Sequence, residues 1–600
     1  MKAHYLNIFK SEKNIPKLDP LEKSVEAFSL TERTVFYLAT ILLILSSLWL
    51  LRSANNLILT TIPARGGSFT EGLIGAPRFL NPLLEVSEAD RDLNTLLYSG
   101  LMRLNEDGEL VPDLAETYTI SEDGLTYTFT LRPDITFHDG TVITVDDVVF
   151  TIQRTQDPQL RSSKRAVWDS AFVKVTKVSD SVVEFSLKKA YAPFLSNTTL
   201  GILPKHIWSS ATADEFQYSL YNTDPIGSGP YRVTAIERTK SGLPKSYTLS
   251  AFDDYALGEA YISKIQFIFF ENEDDLIKAY EAGTIDSLRL LSPERAVEVA
   301  KVTNNLVTTL PSTRLFSVFY NQNHNKVLDQ KEVREVLELL TDKQTIVEEV
   351  FSGYAQPAFG PIPARLIELN QLSAVTTTFD EALVLAKATS TLSKAGWKLN
   401  PESGMWQKAL SKTETITLDF SLAAPNNSDM KRTAELLRTM WAKANINVHV
   451  ELYEAADLQQ NIIRPREYDA LLFGQVVGRD LDLFAYWHSS QRNDPGYNIT
   501  MYTNSRLDKL LDEARQLTDP GERQKRFIKI TEELNTDRPA LFLFTPDYIY
   551  LRSAKVENLK PNIMTKYEER FNGILSWYIE SDHVWSFLPT TLFTKKFDLF

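Results

Sequence analysis

Cysteine is absent from all 600 residues. That absence excludes disulfides, thiolate metal sites, thiol nucleophiles and a lipid-modified N-terminal cysteine. Histidine is scarce: His4, His138, His206, His324, His449, His488 and His583 are scattered, none paired with another at a metal-ligand spacing. The phosphate-binding, dinucleotide-binding, serine-hydrolase and zinc-peptidase signatures G-x-x-x-x-G-K-[ST], G-x-G-x-x-G, G-x-S-x-G and H-E-x-x-H are all missing. An enzyme such as a peptidase therefore has no motif to support it, and no cofactor or metal is expected. Positive charge is also short. The net charge is −14, whereas a general nucleic-acid binder needs a basic face for phosphates. Internal repeats and low-complexity blocks are lacking, and only one apolar run is long.

That run spans 35–51 (VFYLATILLILSSLWLL), carries no charge and is closed by Arg33 and Arg52. Its length is near the lower limit for a membrane-spanning helix. Two readings compete, a cleaved signal peptide and an uncleaved anchor. The 34 residues ahead of the run are mostly polar, and Arg52-Ser53-Ala54 makes a poor cleavage site, so the anchor is favoured. Lys2, Lys10, Lys13, Lys17, Lys23 and Arg33 precede the span, and only Arg52 and Arg65 follow closely. The excess of basic residues predicts a cytoplasmic N-terminus and an extracytoplasmic main domain.

The remaining chain is ordinary globular sequence, 43% hydrophobic and 24% charged over the whole. Its length implies about two to four domains. Thr126 to Leu131 alternates strictly, with Tyr127, Phe129 and Leu131 on one face, which is the period of a half-buried strand. Turn residues bracket it, Glu122-Asp123-Gly124 before and Arg132-Pro133-Asp134 after. Phe137-His138-Asp139-Gly140 predicts a second turn, in which His138 is structural. Thr144 predicts the cap of a helix whose first turn holds Asp146 and Asp147. Val183, Phe185 and Leu187 alternate likewise, and 265–270 reads as a central strand. Helical stripes run through Val333, Val336, Leu337 and Leu340, and through Leu507, Leu510, Leu511, Ala514 and Leu517. Glu273-Asp274-Asp275 reads as a solvated helix start.

The run 111–154, VPDLAETYTISEDGLTYTFTLRPDITFHDGTVITVDDVVFTIQR, resembles the signature region of the family 5 solute-binding proteins, the peptide and nickel receptors of ABC importers. Further blocks follow in order: Gly227-Ser228-Gly229-Pro230-Tyr231; Val333-Arg334 to Asp342 with Gly353-Tyr354-Ala355 and Pro361-Ile362-Pro363; Ala388 to Trp397; and Asp508 to Asp519 with Asp537-Arg538-Pro539. The resemblance covers roughly 67–560. It implies an α/β, two-lobed periplasmic-binding-protein fold of type II kind, with a hinge and an interlobe cleft, preceded here by one transmembrane helix. The implied layout is a cytoplasmic tail 1–34, an anchor 35–51, a linker 52–65, lobe I 66–312, lobe II 313–544 and a return to lobe I over 545–600. The crossings fall near 312–319 and 541–545. Many receptors of this kind are lipoproteins, so the missing cysteine leaves anchoring to the apolar run.

The resemblance places the ligand loop at 473–484, with Phe473, Gly474 and Gln475 first and Tyr486 and Trp487 after it. Peptide-binding members often carry an aspartate here that pairs with the ligand's amino terminus, but Gln475, Val476 and Val477 are not acidic. A desolvated ammonium needs a carboxylate. Asp480 or Asp482 replaces it by a shift of the loop, or the pair caps the following helix; both readings stand. His488 lies near the same loop. Phe79, in Arg78-Phe79-Leu80-Asn81-Pro82, matches the first cleft segment, where Asn81 replaces a usual aspartate. Trp168 follows the signature helix, and Phe316, Phe319 and Tyr320 lie on the first hinge strand. Aromatic walls suit a cleft that accepts varied ligands. The expected function is a membrane-anchored, monomeric receptor that captures peptides or another small solute for ABC permease subunits. The alternative is an extracytoplasmic sensor or scaffold that keeps the fold without transport. Neighbouring permease and ATPase genes separate the two.

Overall fold

The computed structural model describes residues 28–169, 172–290, 292–302, 306–366, 379–560 and 562–585. The chain forms two compact units, one holding the residues up to Ala64 together with those from Glu580 onward, the other spanning Arg65–Ile579.

The first unit is a helix and a ribbon. The helix Leu30–Ile58 has 29 residues, and the uncharged stretch between Arg33 and Arg52 is apolar around its circumference, with none of its most apolar window buried. At its start the Ser29 N–H and hydroxyl donate to Glu32 at 2.8 and 2.7 Å, answering a free helix-end donor. A helix of this length runs about 44 Å, enough to cross a hydrocarbon core of about 30 Å. The residues read as a linker are ordered: helix continues to Ile58, and Leu59–Ala64 is a strand paired antiparallel with Glu580–Trp585. The last of these strands therefore belongs to the unit that holds the apolar helix, not to the unit spanning Arg65–Ile579.

In the second unit a mixed sheet passes through both lobes. Its order is Asn447–Tyr453, Asp419–Pro425, Ala470–Val476, Arg314–Tyr320, Ala540–Arg552, Ser287–Leu290, Ser68–Ile74, Lys264–Phe270, Pro244–Ala251 and Tyr231–Arg238. The 13-residue strand Ala540–Arg552 joins the halves: 540–544 pair with Arg314–Tyr320, and 547–552 pair with Leu306–Pro311. Beside this crossing the Ser312 hydroxyl donates to the Pro546 carbonyl at 2.5 Å. Lobe II carries two cores, one around Val318, Leu337, Leu422 and Trp441, the other around Phe319, Leu471, Trp487 and Phe542. Lobe I has a core under the main sheet (Phe69, Leu97, Phe267, Trp577) and another inside a four-stranded antiparallel sheet, Ala115–Ile120, Thr126–Leu131, Val182–Leu187 and Val173–Lys177.

The sequence patterns produce these elements directly. Tyr127, Phe129 and Leu131 are buried and the threonines between them are half-exposed. Helix Val145–Gln156 starts where Thr144 predicts, with the Thr144 N–H donating to Asp147 Oδ2 at 2.8 Å. Asn272 caps the helix Glu273–Glu281, accepting from the Asp275 N–H at 2.9 Å. In the Gly-Ser-Gly block, a Cβ on Gly227 would lie 1.8 Å from the Leu97 carbonyl oxygen, so only glycine admits this approach. His138 accepts from the Gly227 N–H at 3.2 Å and donates from Nε2 to the Gly229 carbonyl at 3.1 Å. Burial pushes its imidazole down to about 4, so it is a neutral fastener.

A buried ion cluster holds the C-terminal return on lobe I. Arg570 donates to Asp92 at 2.6 and 2.8 Å and to Glu71 at 3.0 Å, with no side chain of the three more than marginally exposed. The Tyr550 hydroxyl completes the cluster on Glu71 at 2.7 Å. Removing one member of such a cluster costs about 3–5 kcal/mol, because it leaves a buried charge uncompensated. The cluster sets the position of 566–576, which forms one wall of a cavity in lobe I.

Candidate solute-binding site

A cavity of about 410 Å³ opens among helix Glu88–Leu97, the segments 99–104, 163–168 and 196–201, and the return 566–574. That volume is in the range of small-molecule sites. Arg91, Asn94 and Thr95 project from the helix because three- and four-residue spacings share a face, and Tyr98 follows at its C-terminal cap. Asp113 is buried on the wall and accepts from the Tyr255 hydroxyl at 2.9 Å. Burial raises its carboxyl above the usual range, while Arg103 and Arg132 oppose the rise. Glu85 pairs with Lys164 at 2.7 Å and accepts from Asn94 Nδ2 at 3.0 Å. Glu568 has a long contact with Arg91, 3.6 Å, and burial pushes its carboxyl up to about 7.

Asn94 Oδ1 and Asn197 Nδ2 are among the buried polar atoms on this wall that have no hydrogen-bond partner among the described residues. An unpaired buried polar group costs about 1–3 kcal/mol. One is an acceptor and the other a donor, so a solute with amide-like groups recovers both costs.

The residues singled out from the sequence fall into separate places. Trp168 borders the cavity, yet it is 1% exposed and packs on Phe185 and Phe194 at 5.7 and 5.5 Å. Phe79 is half-buried against the lobe I core beneath the Arg78 guanidinium and does not border the cavity. Asn81 is buried and accepts from the Leu83 N–H at 3.0 Å, a turn fastener. Phe316, Gly474 and Gln475 come together on adjacent strands, with Phe316 opposite Gly474. Phe316 stacks on Phe544 at 5.3 Å and lies across the glycine: a Cβ on Gly474 would meet its ring at 2.9 Å. Gln475 is buried with its Oε1 unpaired among the described residues, and Phe473 packs half-buried against the lobe II core.

Three expected cleft aromatics are core residues instead. Phe319 and Tyr320 are fully buried on opposite faces of the hinge strand, because alternate residues of a central strand point into opposite cores. Trp487 is 1% exposed and sits 6.3 Å from Phe319 and 5.9 Å from Phe542. The turn Phe484–Trp487 puts its apolar last residue inward and leaves Phe484 to stack on His488 at 4.1 Å. His488 faces Asp508 and Asp512 on lobe II, at 3.9 and 3.7 Å, and does not border the cavity.

The loop aspartates have distinct surroundings. Asp482 is gripped by Arg515 at 2.7–3.1 Å, accepts from the Tyr191 hydroxyl at 3.1 Å and accepts from the Phe484 N–H at 3.3 Å. It thus holds the turn that leads into the short helix and also ties lobe II to lobe I. Asp480 has no ion pair within 4 Å among the described residues, and burial with the neighbouring Asp482 charge raises its carboxyl. Between them and the cavity stands Arg479, which donates to the Ile563 carbonyl and pairs with Glu569 at 3.3 Å. Glu569 borders the cavity, so the loop and the cavity adjoin through this pair. Ala192 adds a second interlobe tie, its N–H donating to the Arg515 carbonyl at 2.9 Å.

Residues 109–498 match the bacterial extracellular solute-binding proteins, family 5, in their middle region. The chain belongs to that family. The oligopeptide-binding protein AppA of Bacillus subtilis is 27% identical over 494 residues, 81% of this chain and 87% of the relative. Its structure in complex with a nonapeptide superposes with a TM-score of 0.65 at 25% identity, covering 86% of this chain and all of AppA. The ABC transporter substrate-binding protein CtaP of Listeria monocytogenes superposes with a TM-score of 0.70 at 25% identity, covering 86% and 99%. Heme-binding protein A of Haemophilus influenzae is 27% identical over 441 residues, 70% of this chain and 76% of the relative. Family 5 receptors share the two-lobed fold, and the N-terminal apolar helix is consistent with a membrane anchor on this member. The aromatic pattern drew sequence reasoning to the cores. Arg479, Tyr191, Arg515, Asp113 and Glu568 escaped it, since their roles depend on contacts between residues far apart in the chain.

Proposed function

We propose that this chain is a membrane-anchored extracytoplasmic receptor that binds a peptide or related small solute and hands it to the permease of an ABC importer. It works by binding and closure, without chemistry on the solute. The observation that carries the reading is the polar cavity beside the Arg479–Glu569 tie, in a chain of the family 5 fold. The proposed solute contacts are Asn94, Asn197, Asp113 and Glu568 with the edge of Trp168. The loop around Phe473, Gly474, Gln475 and Asp480 closes over them with Phe316 behind it. Phe79, Phe319, Tyr320 and Trp487 support these groups from the cores. Of the loop's two aspartates, Asp482 is already neutralised by Arg515, and Asp480 is held toward its neutral form by burial and the neighbouring Asp482 charge. Weak discrimination between free and N-acetylated peptides is therefore expected.

Native mass spectrometry of the chain purified from its own cells tests the solute reading directly. A retained small solute, displaced in Asn94→Leu, supports it. Cross-linking in membranes tests the transport reading: permease subunits are the expected partner, and a signalling protein joined to the cytoplasmic tail in their place would favour the sensor alternative.

A further inference from the structure

Lobe I holds a seat for a guanidinium, and the chain fills it with its own. Arg479 reaches from the lobe II loop to the return segment of lobe I. There its Nη2 donates to the Ile563 carbonyl and meets Glu569 Oε2 at 3.3 Å. The turn 105–109 closes over the same group: a Cβ at Gly108 would fall within the Arg479 guanidinium, so only glycine leaves room. Asn105 pins that turn, its Oδ1 accepting from the Asp107 and Glu109 N–H groups at 3.0 and 2.8 Å. A hairpin turn, a backbone carbonyl and a carboxylate, far apart in the chain, thus shape one seat.

Arg479 is nevertheless a poorly satisfied occupant. A guanidinium presents five N–H donors in a planar fork and pairs best with both oxygens of a carboxylate. Arg479 meets Glu569 through one nitrogen and one oxygen, and that nitrogen also serves Ile563. Its Nε is buried without a partner among the described residues. Glu569 Oε2 also accepts from the Thr565 N–H at 3.0 Å, while Oε1 accepts no hydrogen bond among the described residues.

Glu569 is also where the seat meets the cavity. It lines both the cavity and the small hollow beside Arg479. Its side chain is 11% exposed, and a carboxylate at that depth needs a cation. Asn94 Oδ1, unpaired on the cavity wall, adds an acceptor for an N–H.

We infer that Arg479 is a tethered occupant of a guanidinium site on lobe I, and that a solute with an arginine-type side chain takes its place on Glu569 from the cavity. This inference rests on the reading of the cavity as the solute site and narrows the solute to one that carries a guanidinium. The displacement exchanges one guanidinium–carboxylate pair for another, so Glu569 is never left uncompensated, and Arg479 regains water. A neutral solute offers no such exchange and leaves Arg479 seated.

The test uses two N-acetylated, C-amidated tripeptides, Ala-Arg-Ala and Ala-citrulline-Ala. Citrulline replaces the guanidinium by a neutral urea of nearly the same shape, and no terminal charge interferes. Calorimetry on the full chain compares the wild type, Arg479→Gln and Glu569→Gln. The arginine peptide should bind the wild type severalfold more tightly than the citrulline peptide. Arg479→Gln should strengthen binding of the arginine peptide severalfold and leave the citrulline peptide unchanged, because only the former competes with Arg479. Glu569→Gln should remove the preference. Equal affinities of the two peptides for Arg479→Gln would overturn the inference, and so would a preference that survives Glu569→Gln. Should Glu569→Gln fail to fold, the Arg479→Gln comparison decides alone. Binding of neither peptide would overturn the inference as well, while a small solute retained in native mass spectrometry would leave the receptor reading standing.

Discussion

At the residue scale, the cavity wall makes pH a lever. Burial raises the Glu568 carboxyl to about 7, well above its value in an unfolded chain of about 4.3. The folded state therefore holds a proton that the unfolded state has lost between those values. The stability contributed is complete below about pH 4 and disappears as pH rises through 7; the shift corresponds to roughly 4 kcal/mol. Melting temperature should fall between pH 5 and 8, and Glu568→Gln should flatten that dependence. An unchanged slope would show that other groups dominate. Gly474 supplies a second prediction. With the Phe316 ring where a Cβ would stand at 2.9 Å, Gly474→Ala should cost about 1–3 kcal/mol through overpacking. Phe316→Leu in the same chain should recover part of the loss in denaturant titrations; an additive double mutant would mean that the ring is not the obstacle. This crowding was not legible in the sequence, where Gly474 was expected in the ligand loop, because the obstructing ring lies on another strand.

At the scale of elements, the turn Phe484–Trp487 separates stability from closure. Its inward residue is a core tryptophan, so Trp487→Ala should destabilise the fold by about 3–5 kcal/mol, the usual cost of removing a large buried aromatic. If affinity falls while the melting temperature holds, the residue faces solute after all. Asp482, at the other end of the same turn, touches both Arg515 and Tyr191. Asp482→Asn and Tyr191→Phe should loosen the joined lobes. Charge-assisted hydrogen bonds are worth about 1.5–3 kcal/mol, so Asp482→Asn should shift the population toward open forms, seen as a larger radius in small-angle scattering. A compact Asp482→Asn protein would show that the remaining interlobe contacts suffice. The helices and strands themselves were legible, since hydrophobic period and capping residues act within one element. Thr126–Leu131, Val145–Gln156, Lys331–Leu339 and Ser505–Gln516 follow from patterns a few residues long. The pairing of Leu59–Ala64 with Glu580–Trp585 did not, because its partners are more than 500 residues apart.

At the scale of the whole molecule, solute binding and membrane attachment set the expectations. A solute that contacts both lobes favours the closed form by its differential affinity. Its addition should compact the protein and raise the melting temperature; a solute that raises the melting temperature without compaction would argue against closure. The apolar helix should keep the chain with membranes through a high-salt wash, while residues beyond 66 remain open to external protease. A soluble form starting after residue 51 would remove the anchor. The amino-acid order alone determined the family, the apolar helix, the lack of thiol chemistry and most of the elements, because each is written in composition or in local periodicity. Tertiary structure decided which aromatics are core, that Arg479 and Asp482 tie the lobes, that unpaired amide atoms and raised carboxyls meet around one cavity, and that Glu580–Trp585 pairs with the strand that follows the apolar helix. Those outcomes depend on which distant segments share space, and desolvation and register act only once they do.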